Sequence, residues 1–128
     1  MIIIDIKKFL FKTLNIESIN NLTIDNKVHY LHIPNIPNKG QYVEYEILSE
    51  YGEDYGDNKE ILTTYKIQID IFSYKANEEF FELEKEIRKA MINNGFIKEN
   101  IYDAYEKETK LYHKAMRFNI TLKNEIEI

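Results

Sequence analysis

The chain has 128 residues, of which 44% are hydrophobic and 30% charged, a balance that excludes intrinsic disorder and suits one domain spanning 1–128. Its formal net charge of -5 argues against a protein whose main work is neutralising phosphates, since nucleic-acid affinity rests on Lys and Arg displacing counterions. The lack of cysteine removes disulfides, thiolate metal sites and cysteine nucleophiles together.

The stretch from Met1 to Leu14 is apolar but interrupted by Asp5, Lys7, Lys8 and Lys12. It therefore lacks both the roughly 20 apolar residues of a spanning helix and the unbroken apolar run of a signal peptide, and no membrane association is expected. Ile3, Ile6, Leu10 and Leu14 recur at helical spacing, which predicts an amphipathic helix over 3–14. Ile2, Ile4, Phe9 and Phe11 widen its apolar surface beyond one stripe. A helix buried on a sheet is the simpler account of them, and contact with a neighbouring subunit the sharper one.

Residues 15–26 are Asn-rich and turn-like, 27–33 predict a short strand ended by Pro34, and Pro37, Asn38 and Gly40 predict a turn. Residues 42–48 predict a second strand with Val43, Tyr45 and Ile47 on one face and Tyr42, Glu44 and Glu46 on the other. The acidic, glycine-bearing stretch 50–60 has no periodicity and predicts an exposed, mobile loop. In 65–74 the alternation returns, with Tyr65, Ile67, Ile69 and Ile71 opposite Lys66, Gln68, Asp70 and Phe72, as in a strand with one buried side.

A helix follows, capped by Asn77, with Glu78, Glu79 and Glu82 at its positive end, Arg88 and Lys89 towards the other, and Gly95 to terminate it. Phe80, Leu83, Ile87 and Met91 form its apolar stripe. Residues 101–106 predict a short strand and 112–122 a last one, in which Met116, Phe118, Ile120 and Leu122 oppose His113, Ala115, Arg117 and Asn119. The expected fold is α+β, in the order α-β-β-β-α-β-β. It has a largely antiparallel sheet of four to five strands, with the N-terminal helix and one long central helix packed on one face.

The residues offer little chemistry. His29 and His32 are three apart in a predicted strand, which sends them to opposite faces and makes a shared metal unfavourable. His113 has no carboxylate orienter near it in sequence, and an interface or surface histidine is its simplest account. Asp70 is expected to pair across strands with Lys114 or Arg117. Glu50, Glu53, Asp54, Asp57 and Glu60 do not keep the spacing of a calcium-binding EF-hand loop, and the common nucleotide, hydrolase and zinc-protease motifs are absent. No catalytic residue, cofactor or metal is predicted. Ten tyrosines and seven phenylalanines without a tryptophan are the compositional oddity. Many of the tyrosines, among them Tyr42, Tyr51, Tyr55, Tyr74, Tyr102, Tyr105 and Tyr112, lie in strand flanks or loops, where interfaces use them.

In the strand Gln68-Ile-Asp-Ile-Phe-Ser73, the charged helix after it and the strand His113-Lys-Ala-Met-Arg-Phe-Asn-Ile120, the chain resembles the tail-completion or tail-terminator proteins of tailed bacteriophages and phage-tail-like bacteriocins. Phe72 stands where a Trp is common in such proteins. The resemblance implies a structural, non-enzymatic subunit of a virion tail or tail-like particle, assembled in the bacterial host cytoplasm. Its copies close into a ring, typically a hexamer, that caps the tail tube, stops its polymerisation and offers a surface to the head-tail connector. DNA passes through such a ring without specific binding, and an acidic 50–60 loop at the lumen would repel it. On this account the interface residues are Ile2, Ile4, Phe9, Phe11, Tyr51, Glu53, Asp54, Tyr55, Asp57, Tyr74, His113 and Arg117. The competing accounts are a head-tail joining component, a free-standing module binding partner strands at a sheet edge, and a small metal-dependent enzyme using His113 with Asp70.

Overall fold

The computed structural model describes residues 5–54 and 60–125. The elements are α1 (Ile6–Leu14), α2 (Glu17–Asn20), β1 (His29–Tyr30), β2 (Gln41–Asp54), β3 (Glu60–Ser73), α3 (Glu78–Asn93), β4 (Ile97–Glu106) and β5 (Leu111–Glu125). The fold is α+β, with a five-stranded sheet in the order β1-β2-β3-β5-β4. All its pairings are antiparallel except the two-residue β1, which runs parallel to β2. The expected order holds, with α2 as an additional short helix. Because β3 and β4 both lie antiparallel to β5, they point the same way. A chain joining two such strands must cross over a face, and α3 is that crossover.

The apolar faces set the layering. Val43, Tyr45, Ile67, Ile69, Ile71, Met116, Phe118 and Ile120 are buried on the helix side, against Ile6, Leu10 and Leu14 of α1 and Phe80, Leu83, Ile87 and Met91 of α3. Helix α3 starts as its sequence predicts: the Asn77 side chain accepts from the Phe80 N–H at 3.2 Å. It ends at Asn94 and Gly95, where Gly95 takes φ +91°. Arg88 lies short of the last turn and instead pairs with Glu84 at 3.3 Å, one turn earlier. Helix α1 begins later than the apolar spacing suggests, because Asp5 caps it: its carboxylate accepts from the Lys7 and Lys8 N–H groups.

Three expectations change. The predicted 27–33 strand shrinks to His29–Tyr30: Leu31 adopts φ +69°, and its N–H turns to the Tyr45 carbonyl while Ile33 donates to the Glu44 side chain at 2.8 Å. The last two strands start earlier than expected, with β4 reaching back to Ile97 and β5 to Leu111. The 50–60 stretch is not a loop throughout. Residues Glu50 to Asp54 continue β2, pairing with Tyr65 back to Ile61, and Glu60 pairs with Glu125. Hydrogen bonding to β3 on one side, and of β3 to β5 on the other, supplies the order that an acidic, glycine-bearing sequence does not advertise.

A bulge between Ile47 and Ser49 allows this arm to form. The extra residue, Leu48, shifts the alternation by one, so Glu50 lies opposite Tyr65 on the helix side and Tyr51 opposite Thr64 on the outer side.

Two glycines separate two kinds of glycine requirement. Gly40 takes φ +81°, and a Cβ there would sit 3.0 Å from Ile24 Cβ and Cδ1, where the Ile24 N–H is tied to the Gln41 carbonyl. At Gly95 the nearest atom, Ile120 Cδ1, would be 3.8 Å from an added Cβ. Both Gly→Ala changes carry the left-handed penalty of about 1 kcal/mol. Gly40→Ala adds a clash and is expected to cost about 2–3 kcal/mol in total. Urea unfolding of the two variants should show Gly40→Ala the less stable; equal midpoints would mean that the Ile24 contact relaxes freely.

Candidate functional site

The three helices cover one face of the sheet and leave the other open. On the open face lie Tyr42, Glu44 and Glu46 of β2, Lys66, Gln68, Asp70 and Phe72 of β3, His113, Ala115, Arg117 and Asn119 of β5, and Tyr102 of β4, as strand alternation requires. Register decides what touches. Phe72 is directly opposite both Tyr42 and His113, and the three rings stack across three strands: Tyr42 on Phe72 at 5.0 Å between centroids, Phe72 on His113 at 4.3 Å. Ile33 and Leu111 are buried beside this stack, so the end of the open face nearest the β2 start is a small second core. The segment after β1 wraps onto it, and Tyr74 donates its hydroxyl to the Pro37 carbonyl at 2.9 Å. A groove of about 390 Å³ opens there between His32, Ile36, Thr109 and the ring stack.

Next to the rings runs a chain of polar side chains. Arg117 Nε donates to Gln68 Oε1 at 3.0 Å, the Gln68 amide donates to Asp70 at 3.0 Å, and Asp70 Oδ1 lies 2.7 Å from His113 Nε2. The other ring nitrogen, Nδ1, faces Glu106 Oε2 at 3.7 Å. The expected partners of Asp70, Lys114 and Arg117, are thus replaced by His113. Lys114 points to the helix side and Arg117 stops at Gln68. The hydrogen bond from Asp70 raises the His113 pKa above its usual 6.5, burial opposes this, and the Asp70, Glu106 and Glu44 charges add to the rise. Tyr42 is pushed up to about 12, first by burial and then by Glu44, Tyr74 and Glu106.

A carboxylate near each nitrogen favours the protonated imidazole, the form in which neither ring nitrogen keeps a free lone pair to act as a general base. Among the described residues no group of three or more His, Cys, Asp or Glu side chains is placed to hold a metal ion. His29 is tied to Asp25, while the exposed His32 reaches Glu44 at 3.5 Å.

The His113 pair has a pH signature with a definite sign. Its folded pKa lies above the unfolded value, so its stabilisation is fully present below about pH 6.5 and is lost as pH rises through the folded pKa. Asp70→Asn is expected to cost about 1–2 kcal/mol at pH 6, the worth of a charge-assisted hydrogen bond, and clearly less at pH 9. Denaturant midpoints across that range test this; a penalty that grows with pH would show that His113 is neutral in the folded protein.

The other predicted interface residues are spread over the molecule. Phe11 is 56% exposed on α1, whereas Phe9 turns inward to stack on Phe96 at 5.5 Å. Tyr51 is half exposed on the arm, Arg117 is exposed on the open face, and Tyr74 and His113 are largely absorbed into contacts within the chain. Tyr42 is buried in the ring stack, so it serves the fold. Glu53 and Asp54 are placed by backbone pairing with Leu62 and Ile61, and Ile2, Ile4, Tyr55 and Asp57 lie outside the described residues. The edge strand β4 exposes Ile97, Tyr102 and Tyr105, and β2 beyond Tyr45 has no partner on its outer side among the described residues. Among the described residues, no helix is long and apolar enough to cross a membrane.

No protein-family model and no curated protein matches the chain. Among solved structures, a chain from the virion of a native gene transfer agent (GTA) particle has a similar structure. The TM-score is 0.60 with 12% sequence identity, and the match covers 90% of this chain and 92% of that one. At that identity the likeness is one of fold.

Proposed function

We propose that the chain is a structural subunit of a phage-like particle, and within it a tail-completion or terminator protein whose copies form a ring that caps the tail tube and meets the head-tail connector. The similarity of fold to a chain of the gene transfer agent virion, over nearly the full length of both chains, carries this reading. The surface is consistent with it: an open sheet face stiffened by stacked rings, two strand edges without partners among the described residues, and an acidic outer end of β2 paired with β3. Such features serve docking by shape and charge.

Electron microscopy of the purified protein mixed with polymerising tube subunits tests the proposal. Tubes capped at one end, and shorter than those grown without it, are the expected result. Free heads decorated in place of tubes would indicate a head-tail joining component. Decorated heads would overturn the terminator role, and the absence of both capped tubes and decorated heads would overturn the assignment to the tail.

A further inference from the structure

A groove of about 310 Å³ lies between α1 and the sheet, lined by Lys7, Lys8, Phe11, Lys12, Tyr30 and Tyr45. Its walls are aromatic: Tyr30 packs edge-on against the buried Tyr45 at 5.5 Å, and Phe11 stands exposed opposite. Its rim is cationic, and none of the ion pairs among the described residues uses Lys7, Lys8 or Lys12. Asp5 caps α1 with its carboxylate and is the one acid in the turn before these lysines. A site built this way accepts an aromatic side chain flanked by carboxylates.

The chain carries such a segment elsewhere. The outer part of β2 reads Glu50-Tyr51-Gly52-Glu53-Asp54, with Tyr51 half exposed, and Glu60 begins the strand paired to it. Lys123, opposite Leu62 on β5, leaves the arm acidic in balance. This segment cannot reach the groove of its own chain. Tyr45 lines that groove and sits on the same strand, and nine residues of extended backbone put Asp54 about 30 Å further on.

We propose that the groove beside α1 is the seat for the acidic β2 arm of a second copy of this chain, with Tyr51 between Phe11 and Tyr30 and the lysines on its flanking carboxylates. The inference rests on the self-assembly reading above and names the surfaces it uses. Because seat and arm are different patches of one molecule, the contact is heterologous: each copy gives an arm to one neighbour and takes an arm from the other. Repetition then closes a ring or extends a filament.

Charge exchange tests it. In sedimentation at low salt, Lys7→Glu/Lys8→Glu/Lys12→Glu and Glu50→Lys/Glu53→Lys/Asp54→Lys should each lower self-association about tenfold or more. An equimolar mixture of the two should recover most of it. Raising salt to about 1 M should weaken the wild-type contact as well, since the charges are exposed. The absence of native cysteine allows a direct check. Lys8→Cys/Tyr51→Cys protein treated with a short bismaleimide should give a ladder of oligomers, and the singly substituted chains, mixed, only dimers. Circular dichroism and the unfolding midpoint establish that each variant folds.

Association unchanged in either charge variant, no recovery on mixing, or no ladder would overturn the proposal. If lysine reversal abolished tube capping while arm reversal left it intact, the groove would belong to a tube subunit, and the proposal would fall. The two readings fail separately. Capping by both charge variants would sink the arm-in-groove contact alone, and restored self-association without capping would sink the terminator role alone.

Discussion

Phe118→Ala is expected to destabilise the protein by about 3–5 kcal/mol, among the largest losses available to a single side chain. Phe118 is fully buried on β5, directly opposite Ile67 of β3, in the layer where sheet and helices meet. Truncation removes the ring's transfer energy and leaves a cavity between sheet and helices that hydrogen-bonded strands cannot close by collapsing. Domains of this size are stable by roughly 5–15 kcal/mol, so the loss is about a fifth of the total or more. It should lower the melting temperature by on the order of 10–20 °C. Phe118→Leu should cost about half as much, and Phe81→Ala, at a ring 57% exposed on α3, well under 1 kcal/mol. Chemical unfolding with unchanged m values is the measurement. A small loss at Phe118 would mean that the core between β3, β5 and the helices repacks far more freely than close-packed interiors do.

Lys114 is the second position of large effect. It occupies the helix side of β5 opposite Ile71, where strand alternation calls for an apolar residue, and its side chain is only 7% exposed. Its ammonium lies 2.6 Å from Asp103 and 3.3 Å from Glu84, and 5.8 Å from the centre of the Phe80 ring. Burial alone would lower its pKa, but the hydrogen bonds and charges of Asp103 and Glu84 together outweigh this and raise it above 10.5. A raised pKa means that the stabilisation is present throughout the range below about pH 10.5 and is lost only as pH climbs through the folded value. Lys114 therefore contributes no pH dependence between pH 5 and 9.

Lys114→Ala leaves the mostly buried Glu84 with Arg88 as its remaining cation and opens a void. Breaking a buried pair costs about 3–5 kcal/mol, and the exposure of Asp103 to water reduces the expectation here to about 2–4 kcal/mol. Lys114→Met keeps the stem and should cost less. Lys114→Met/Glu84→Met should recover much of the loss, because replacing both members of a buried pair with apolar groups is close to neutral. If the double substitution is no more stable than Lys114→Met alone, the pair is not coupled and the Lys114→Ala loss reflects packing only. Two carboxylates from α3 and β4 meeting one lysine from β5 join the crossover helix to both strands of the terminal hairpin.

The start, buried stripe and end of helix α3 were legible in the sequence, since Asn77, the Phe80–Met91 stripe and Gly95 act through neighbours three and four residues away. So were the faces of β3 and β5: alternation alone assigns Asp70 and His113 to the open side. That they are bonded was not legible. They are 43 residues apart, and a slip of two residues between β3 and β5 would keep every face correct while separating them. The same holds for the stack of Tyr42, Phe72 and His113, which needs two registers to agree. Lys114 was expected beside Asp70 on the polar side; the fold puts it on the apolar side opposite Ile71, with partners from elements that only the folded chain brings near.

The least legible part was the arm. Its residues have poor strand propensity, and Leu48 at the bulge breaks the alternation by which a strand is recognised. Local pattern by itself determined the central parts of α1, α3, β2, β3 and β5, which face each one buries, and that the products form one apolar layer under a polar sheet. These properties depend on backbone sterics and on spacing within a few residues. The registers, the extension of β2 as far as Asp54, and the separation of the lysine-rimmed groove from the acidic arm were decided only in the tertiary structure. Each depends on hydrogen bonds between segments whose separation along the chain carries no signal of their meeting.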